Sequence, residues 1–160
     1  MKQWICMALA LMLLLTGCAG SRQPEQPGMV FVHEGVEIGL NQPMAPVARA
    51  LGEPRTCTEE PSCAFDGMEK TYYYGPFYIK TYPLERQECI YSIWFADDTV
   101  ATTEGVHIGD SRESVIRAYG EACFNGDNAF RIHKGSTDLV VILKDDAVKS
   151  IQYVLSPPRG

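Results

Sequence analysis

Apolar and polar positions along the chain follow two rhythms. One stretch has the helical spacing: Val47, Ala50 and Leu51 fall at i, i+3 and i+4. It predicts a helix over 41–51, with Asn41 as candidate N-cap, Pro43 in the first turn and Gly52 as the stop. A second stretch repeats the arrangement. Asp110 or Ser111 caps it, Glu113 lies in the first turn, Val115, Ala118 and Tyr119 form the apolar face, and Gly120 ends it. The other rhythm is the strand alternation, carried by β-branched and aromatic residues. It predicts strands over 70–74, 77–82 and 90–96, and again over 129–133, 139–144 and 148–155. Gly75-Pro76, the segment 83–88, Gly135-Ser136 and Asp145-Asp146 are the punctuation between them. The segment 30–38 alternates only partly and reads as a short strand or an extended lead-in.

The two sets are copies of each other. Gly35-Val36-Glu37-Ile38-Gly39 returns as Gly105-Val106-His107-Ile108-Gly109, and Val47-Ala48-Arg49-Ala50-Leu51-Gly52-Glu53 returns as Val115-Ile116-Arg117-Ala118-Tyr119-Gly120-Glu121. Two matched blocks in one order at nearly one offset indicate an internal duplication. Each unit is a helix followed by an antiparallel meander. The expected fold is therefore α+β: two tandem repeats forming one sheet with helices on one face. The units cover about 30–98 and 99–156 of a folded part over 30–160.

Aligning the units assigns faces. Phe77/Leu139, Ile79/Val141, and the set Tyr91, Ile93, Phe95 with Lys149, Ile151, Tyr153 are expected on the helix side. Ile90, Ser92 and Trp94, with Val148, Ser150 and Gln152, are expected on the open side. The open face of the first unit would then hold Tyr78, Lys80, Tyr82, Ser92 and Trp94. A one-residue slip would exchange the faces. Exposed Tyr and Trp supply large rigid contact area, so these five residues are the candidate binding site.

The N-terminus carries a separate signal. Lys2 precedes an apolar run over 4–15, too short to cross a bilayer comfortably and shaped like the core of a signal peptide. The run ends in Leu15-Thr16-Gly17-Cys18, which resembles the lipobox of bacterial lipoproteins. The resemblance implies removal of 1–17, a diacylglycerol on the Cys18 thiol with palmitate-class chains, and export to a bacterial membrane. The alternative is an ordinary secreted chain cut at a small-residue site. The Pro- and Gly-rich segment after Cys18, through position 29, reads as a flexible tether.

Charge and cysteines narrow the picture. The net charge is −6, and loss of Lys2 makes it one unit more negative. Such a surface disfavours polyanions, so nucleic acid is not an expected partner. Cys57, Cys63, Cys89 and Cys123 are even in number in a chain expected outside the cytoplasm, which suggests disulfides. Of the three pairings, Cys57–Cys63 with Cys89–Cys123 is favoured, because the first pair brackets a short Thr-Glu-Glu-Pro-Ser stretch.

The duplicated motifs also resemble a known family. Val36-x-Ile38-Gly39 with Leu51-Gly52-Glu53-Pro54, and Val106-x-Ile108-Gly109 with Tyr119-Gly120-Glu121, are similar to the tandem units of the β-lactamase-inhibitor-protein-like fold. Used once, the unit resembles the small lipoprotein of the outer-membrane β-barrel assembly machinery. Ser62-Cys63-Ala64-Phe65-Asp66-Gly67 resembles a segment of many bacterial lipoproteins. The resemblance covers about 30–155 and implies a fold, not an activity.

No catalytic signature stands out. Gly-x-Ser-x-Gly, His-Glu-x-x-His and a phosphate-cradling glycine loop are all missing from the sequence. His33, His107 and His133 are the histidines, and none has an obvious partner in sequence. Asp97-Asp98 and Asp145-Asp146 read as turn formers rather than calcium ligands. No enzyme, cofactor or metal is expected. The expected function is a membrane-anchored envelope lipoprotein that binds an envelope or secreted protein. A structural role in an envelope complex, or inhibition of a secreted enzyme such as a β-lactamase, are the alternatives.

Overall fold

A computed structural model describes residues 27–63, 65–126 and 128–156. Cys18, the apolar leader and most of the tether lie outside the described residues.

The segment read as a lead-in is a hairpin. β1 (Val30–His33) and β2 (Val36–Gly39) pair antiparallel around Glu34 and Gly35, whose φ values are +49° and +81°. A two-residue turn with both φ positive has the twist that hairpins favour. Phe31 and Ile38 face each other across it, and both are fully buried.

α1 (Met44–Leu51) and α2 (Arg112–Tyr119) match the predicted helices except at one end. Ser111 caps α2, its Oγ accepting from the Ser114 N–H. Asn41 does not cap α1: Pro43 stands at that position with no side-chain bond. Asn41 instead has φ +63°, and its Oδ1 accepts from the Tyr82 hydroxyl at 2.7 Å. Gly52 and Gly120 end the helices with φ of +80° and +86°, their N–H groups bonded to the Ala48 and Ile116 carbonyls. Ser111→Ala is expected to cost about 1 kcal/mol, because one N-terminal amide of α2 loses its acceptor. Urea denaturation measures it, with Asn125→Ala, outside the helix, as a neutral comparison.

Seven further strands form one antiparallel sheet. They are β3 (Thr56–Pro61), β4 (Met68–Tyr73), β5 (Phe77–Leu84), β6 (Gln87–Phe95), β7 (Ala129–Lys134), β8 (Thr137–Lys144) and β9 (Ala147–Leu155). Their order is β3-β4-β5-β6-β9-β8-β7, so the last strands of the two meanders meet in the middle. Ser92 pairs with Val154, Ile93 with Tyr153 and Trp94 with Gln152. β3 was not expected. All six of its residues are exposed, and its Glu, Pro and Cys content does not look like a strand.

The predicted inner positions Phe77, Leu139, Ile79, Val141, Ile93 and Ile151 are fully buried. They form one core with Phe31, Ile38, Met44, Val47, Val106 and Val115 from the elements on the other side. The alternation fails at one point in each meander. Lys80 pairs with Ser92 but Thr81 pairs with Ile90, which leaves Tyr91 extra. Ile142 pairs with Ser150 but Leu143 pairs with Val148, which leaves Lys149 extra. A bulge moves every residue beyond it to the opposite face. Ile90 (0% exposed) and Val148 (3%) therefore enter the core instead of the open face, and Tyr91 leaves the helix side.

The chain entering each helix also joins the sheet in the same way in both halves. Asn41 donates to the Ile90 carbonyl (2.7 Å) and Ile90 to that of Gln42 (3.0 Å). Gly109 donates to Val148 (2.8 Å) and Val148 to Asp110 (2.7 Å). The isolated bridges Pro43–Cys89 and Ser111–Ala147 continue the correspondence.

Candidate binding face on the open side of the sheet

Registry decides which side chains meet on the face away from the helices. The pairs Thr56–Tyr73, Tyr73–Tyr78, Tyr78–Trp94, Trp94–Gln152, Gln152–Val140 and Val140–Arg131 run edge to edge. This row crosses all seven strands at the level where β6 meets β9. Trp94 lies at its centre and is 45% exposed.

The row is held in place. Trp94 Nε1 donates to Ser92 Oγ at 2.6 Å, and Gln152 Nε2 donates to the same oxygen at 3.0 Å. Lys80 Nζ sits 5.9 Å from the Trp94 ring centre, within reach of a cation–π attraction. Tyr78 stacks on Tyr73 with centroids 4.5 Å apart, and Arg55 lies 6.0 Å over Tyr73. Ile142, 39% exposed, adds apolar surface on the second half.

Of the five expected residues, Tyr78, Lys80 and Trp94 come together at the surface. Ser92 is on the same face but 1% exposed, so it orients Trp94 rather than meeting a partner. Tyr82 is 8% exposed and is withdrawn. Its ring packs on Phe65 at 4.4 Å, in the loop that folds over it, and its hydroxyl is tied to Asn41. Tyr73, Gln152 and Val140 belong to the row but were not singled out. Tyr73 is the middle residue of Tyr72-Tyr73-Tyr74, and only the β4–β5 register shows which of these tyrosines faces outward.

Charge on the face is mostly paired. Lys80 Nζ lies 3.3 Å from Glu69 and 3.9 Å from Glu60. Burial alone would raise the Glu69 pKa, but hydrogen bonds from Tyr91, Lys80 and Ser62 outweigh it and hold the carboxyl below its usual value. On the second half, Asp138 is 5% exposed and accepts from Arg131 (2.8 Å) and Ser156 (2.7 Å), with His133 Nδ1 at 2.7 Å. Ser156, His133 and Asp138 are a familiar trio, but both Asp138 and Ser156 meet His133 at Nδ1. A proton relay needs the serine at Nε2, so this cluster does not activate Ser156.

No disulfide joins the four expected cysteines; each is a free thiol. Cys57 lies near one end of β3, and the extended path continues past the other end through Ser62, whose N–H bonds to the Gly67 carbonyl, so Cys57 and the residue before Cys63 are about 16 Å apart. That exceeds the Cα separation a disulfide allows. Cys89 is buried on β6 opposite Tyr82, and burial raises its thiol pKa. Cys123 follows α2 and donates to the Tyr119 carbonyl at 3.2 Å. Asp145 and Asp146 form the β8–β9 turn, with φ of +53° and +60°. Among the described residues, no group of three His, Cys, Asp or Glu side chains is placed to hold a metal ion. Among the same residues, no helix is long and apolar enough to cross a membrane.

Among the described residues, the molecule is an α+β protein with a mostly antiparallel seven-stranded sheet, a two-stranded hairpin and two α-helices. Comparison with known families, curated proteins and solved structures finds no match.

Proposed function

We propose that this chain is a membrane-anchored envelope lipoprotein, exported and lipidated at Cys18, that acts as a non-catalytic protein-binding module through the open face of its sheet. The observation that carries the reading is Trp94. A large aromatic side chain lies nearly half exposed in mid-sheet, fixed by its bond to Ser92 and flanked by Tyr78 and Lys80. Rigid aromatic anchors lose little side-chain entropy on binding and dominate interface energies. A purely structural role fits a fully polar face better, and Trp94 with Ile142 makes this one amphipathic.

We further read the domain as two tandem units of the β-lactamase-inhibitor-protein-like kind. The bulges at Tyr91 and Lys149 and the recurring bonds between helix entry and last strand support that reading. Inhibition of a secreted enzyme then remains a special case of binding, with the same face as the contact.

The test is a crosslinking pull-down from intact envelopes with wild type and a Tyr78→Ala, Trp94→Ala double variant. The variant is expected to weaken capture of the partner by roughly 30-fold or more, the loss of about 2 kcal/mol that marks a hot spot. Undiminished capture, with folding intact by circular dichroism, sinks the open-face assignment.

A further inference from the structure

The two edges of the sheet are treated differently. The outer edge of β7 is partly closed by the chain itself: Phe124 bridges to Phe130, and the Asn125 N–H donates to the Ala129 carbonyl at 2.7 Å. Among the described residues no element follows β3 in the sheet, and all six of its residues are exposed.

The phase of the ladder tells which groups of β3 point outward. Ser62 N–H donates to the Gly67 carbonyl, so 62 and 67 form a hydrogen-bonded pair in the β3–β4 register. Tyr74 N–H donates to the Phe77 carbonyl, which gives Tyr72 and Lys70 to β5 and Tyr73, Thr71 and Glu69 to β3. Alternate residues of an antiparallel edge strand face away from the ladder. Thr56, Thr58 and Glu60 thus bond to β4. Cys57 and Glu59 present both N–H and C=O outward, and Pro61 presents its carbonyl. Proline is tolerated there because its missing N–H would have faced outward.

Charge selects the occupant. Glu59 lies opposite Lys70 in the register, but that ammonium is bonded to Glu88 at 2.9 Å, and Glu59 makes no direct ion pair among the described residues. Glu60 shares the single Lys80 ammonium with Glu69, at 3.9 Å against 3.3 Å. Two glutamates on a short edge repel another acidic strand and favour Lys or Arg directly opposite. The face joins the edge without a gap, since Thr56 begins the row that continues through Tyr73 and Tyr78 to Trp94.

We infer that β3 is a strand-addition site for an extended, Lys- or Arg-bearing segment of a protein partner. The segment hydrogen-bonds to the backbone of Cys57 and Glu59, and its alternate side chains lengthen the aromatic face. The inference rests on the protein-binding reading, but it concerns a separate surface. A second copy of this chain is the less suited occupant, because it brings two more glutamates to the same edge.

Amide hydrogen exchange on the soluble domain tests it, with a synthetic peptide of alternating Lys and Val as the probe and its Glu-Val counterpart as the control. The Lys-Val peptide is expected to slow exchange at Cys57 and Glu59 by about tenfold, leaving Thr58 and Glu60, already bonded to β4, little changed. Glu59→Pro removes one outward donor and is expected to weaken the peptide about fivefold to tenfold beyond what Glu59→Gln does. Trp94→Ala should leave the protection of Cys57 and Glu59 in place, which separates the edge from the face. Equal protection by the Glu-Val peptide, or none by either at saturating concentration, overturns the proposal. Protection that rises with protein concentration alone, without peptide, also overturns it and makes a second copy the occupant.

Discussion

Phe31→Ala is expected to destabilise the domain by about 3–5 kcal/mol, the largest effect of any single change considered. Phe31 is fully buried, with ring centres 4.9 Å from Phe95, 5.0 Å from Phe77 and 6.3 Å from Tyr153. It links the β1–β2 hairpin to strands of both meanders, and its removal leaves a cavity that flanking aromatic rings fill poorly. Val32, next on the same strand, is 41% exposed. Val32→Ala is expected to stay within about 0.5 kcal/mol of wild type. Urea denaturation of the pair measures the difference. Equal costs mean that the hairpin does not pack on the sheet as described.

Loss of Asp138 is expected to have the next largest effect, about 1.5–3 kcal/mol at neutral pH for Asp138→Ala. The carboxylate is buried and serves Arg131, His133 and Ser156 at once. Burial would raise its pKa; the hydrogen bonds from Ser156, His133 and Arg131 outweigh burial and lower it. A folded-state pKa below the unfolded one, about 3.9, gives stability that is present above the unfolded value. That stability is lost as pH falls below it and through the folded value. Asp138→Asn should therefore show a smaller drop in denaturation midpoint between pH 7 and pH 3 than wild type. Glu88 keeps some of the acid limb, since hydrogen bonds from Thr81, Tyr72 and Lys70 overcome its burial and lower its pKa too. An unchanged drop in the variant contradicts the assignment of Asp138.

The helices, six of the strands and the inner positions of β5 and β8 are legible in the sequence because their signals are local: period, cap and glycine stop. Ser111 and Gly120 do at α2 what their residue types suggest. Three features are not local and were not legible. β3 is a strand because β4 offers it a ladder, while its own residues are polar and exposed. Asn41 looks like a cap but is claimed by Tyr82, distant in sequence. The bulges at Tyr91 and Lys149 interrupt an alternation that otherwise reads as continuous, and they carry Ile90 and Val148 inward.

The candidate site divides along the same line. Tyr78, Lys80 and Trp94 lie before the bulge in register and stand on the open face as read. Tyr82 lies beyond it, where the loop bearing Phe65 covers it. Ser92 is correctly faced, but its role as the acceptor for Trp94 and Gln152 depends on β6 lying beside β9. The cysteine count suggested crosslinks, and the extended path of β3 separates the pair thought nearest.

Site-specific photocrosslinking in intact envelopes tests the central claim most directly. A photoreactive amino acid is placed at Tyr78 on the open face, or at Arg49 on the exposed side of α1. The account predicts one discrete adduct from Tyr78, its loss when Trp94→Ala is added, and no such adduct from Arg49. The same adduct from both positions, or an adduct from Tyr78 that survives Trp94→Ala undiminished, contradicts a binding face centred on Trp94.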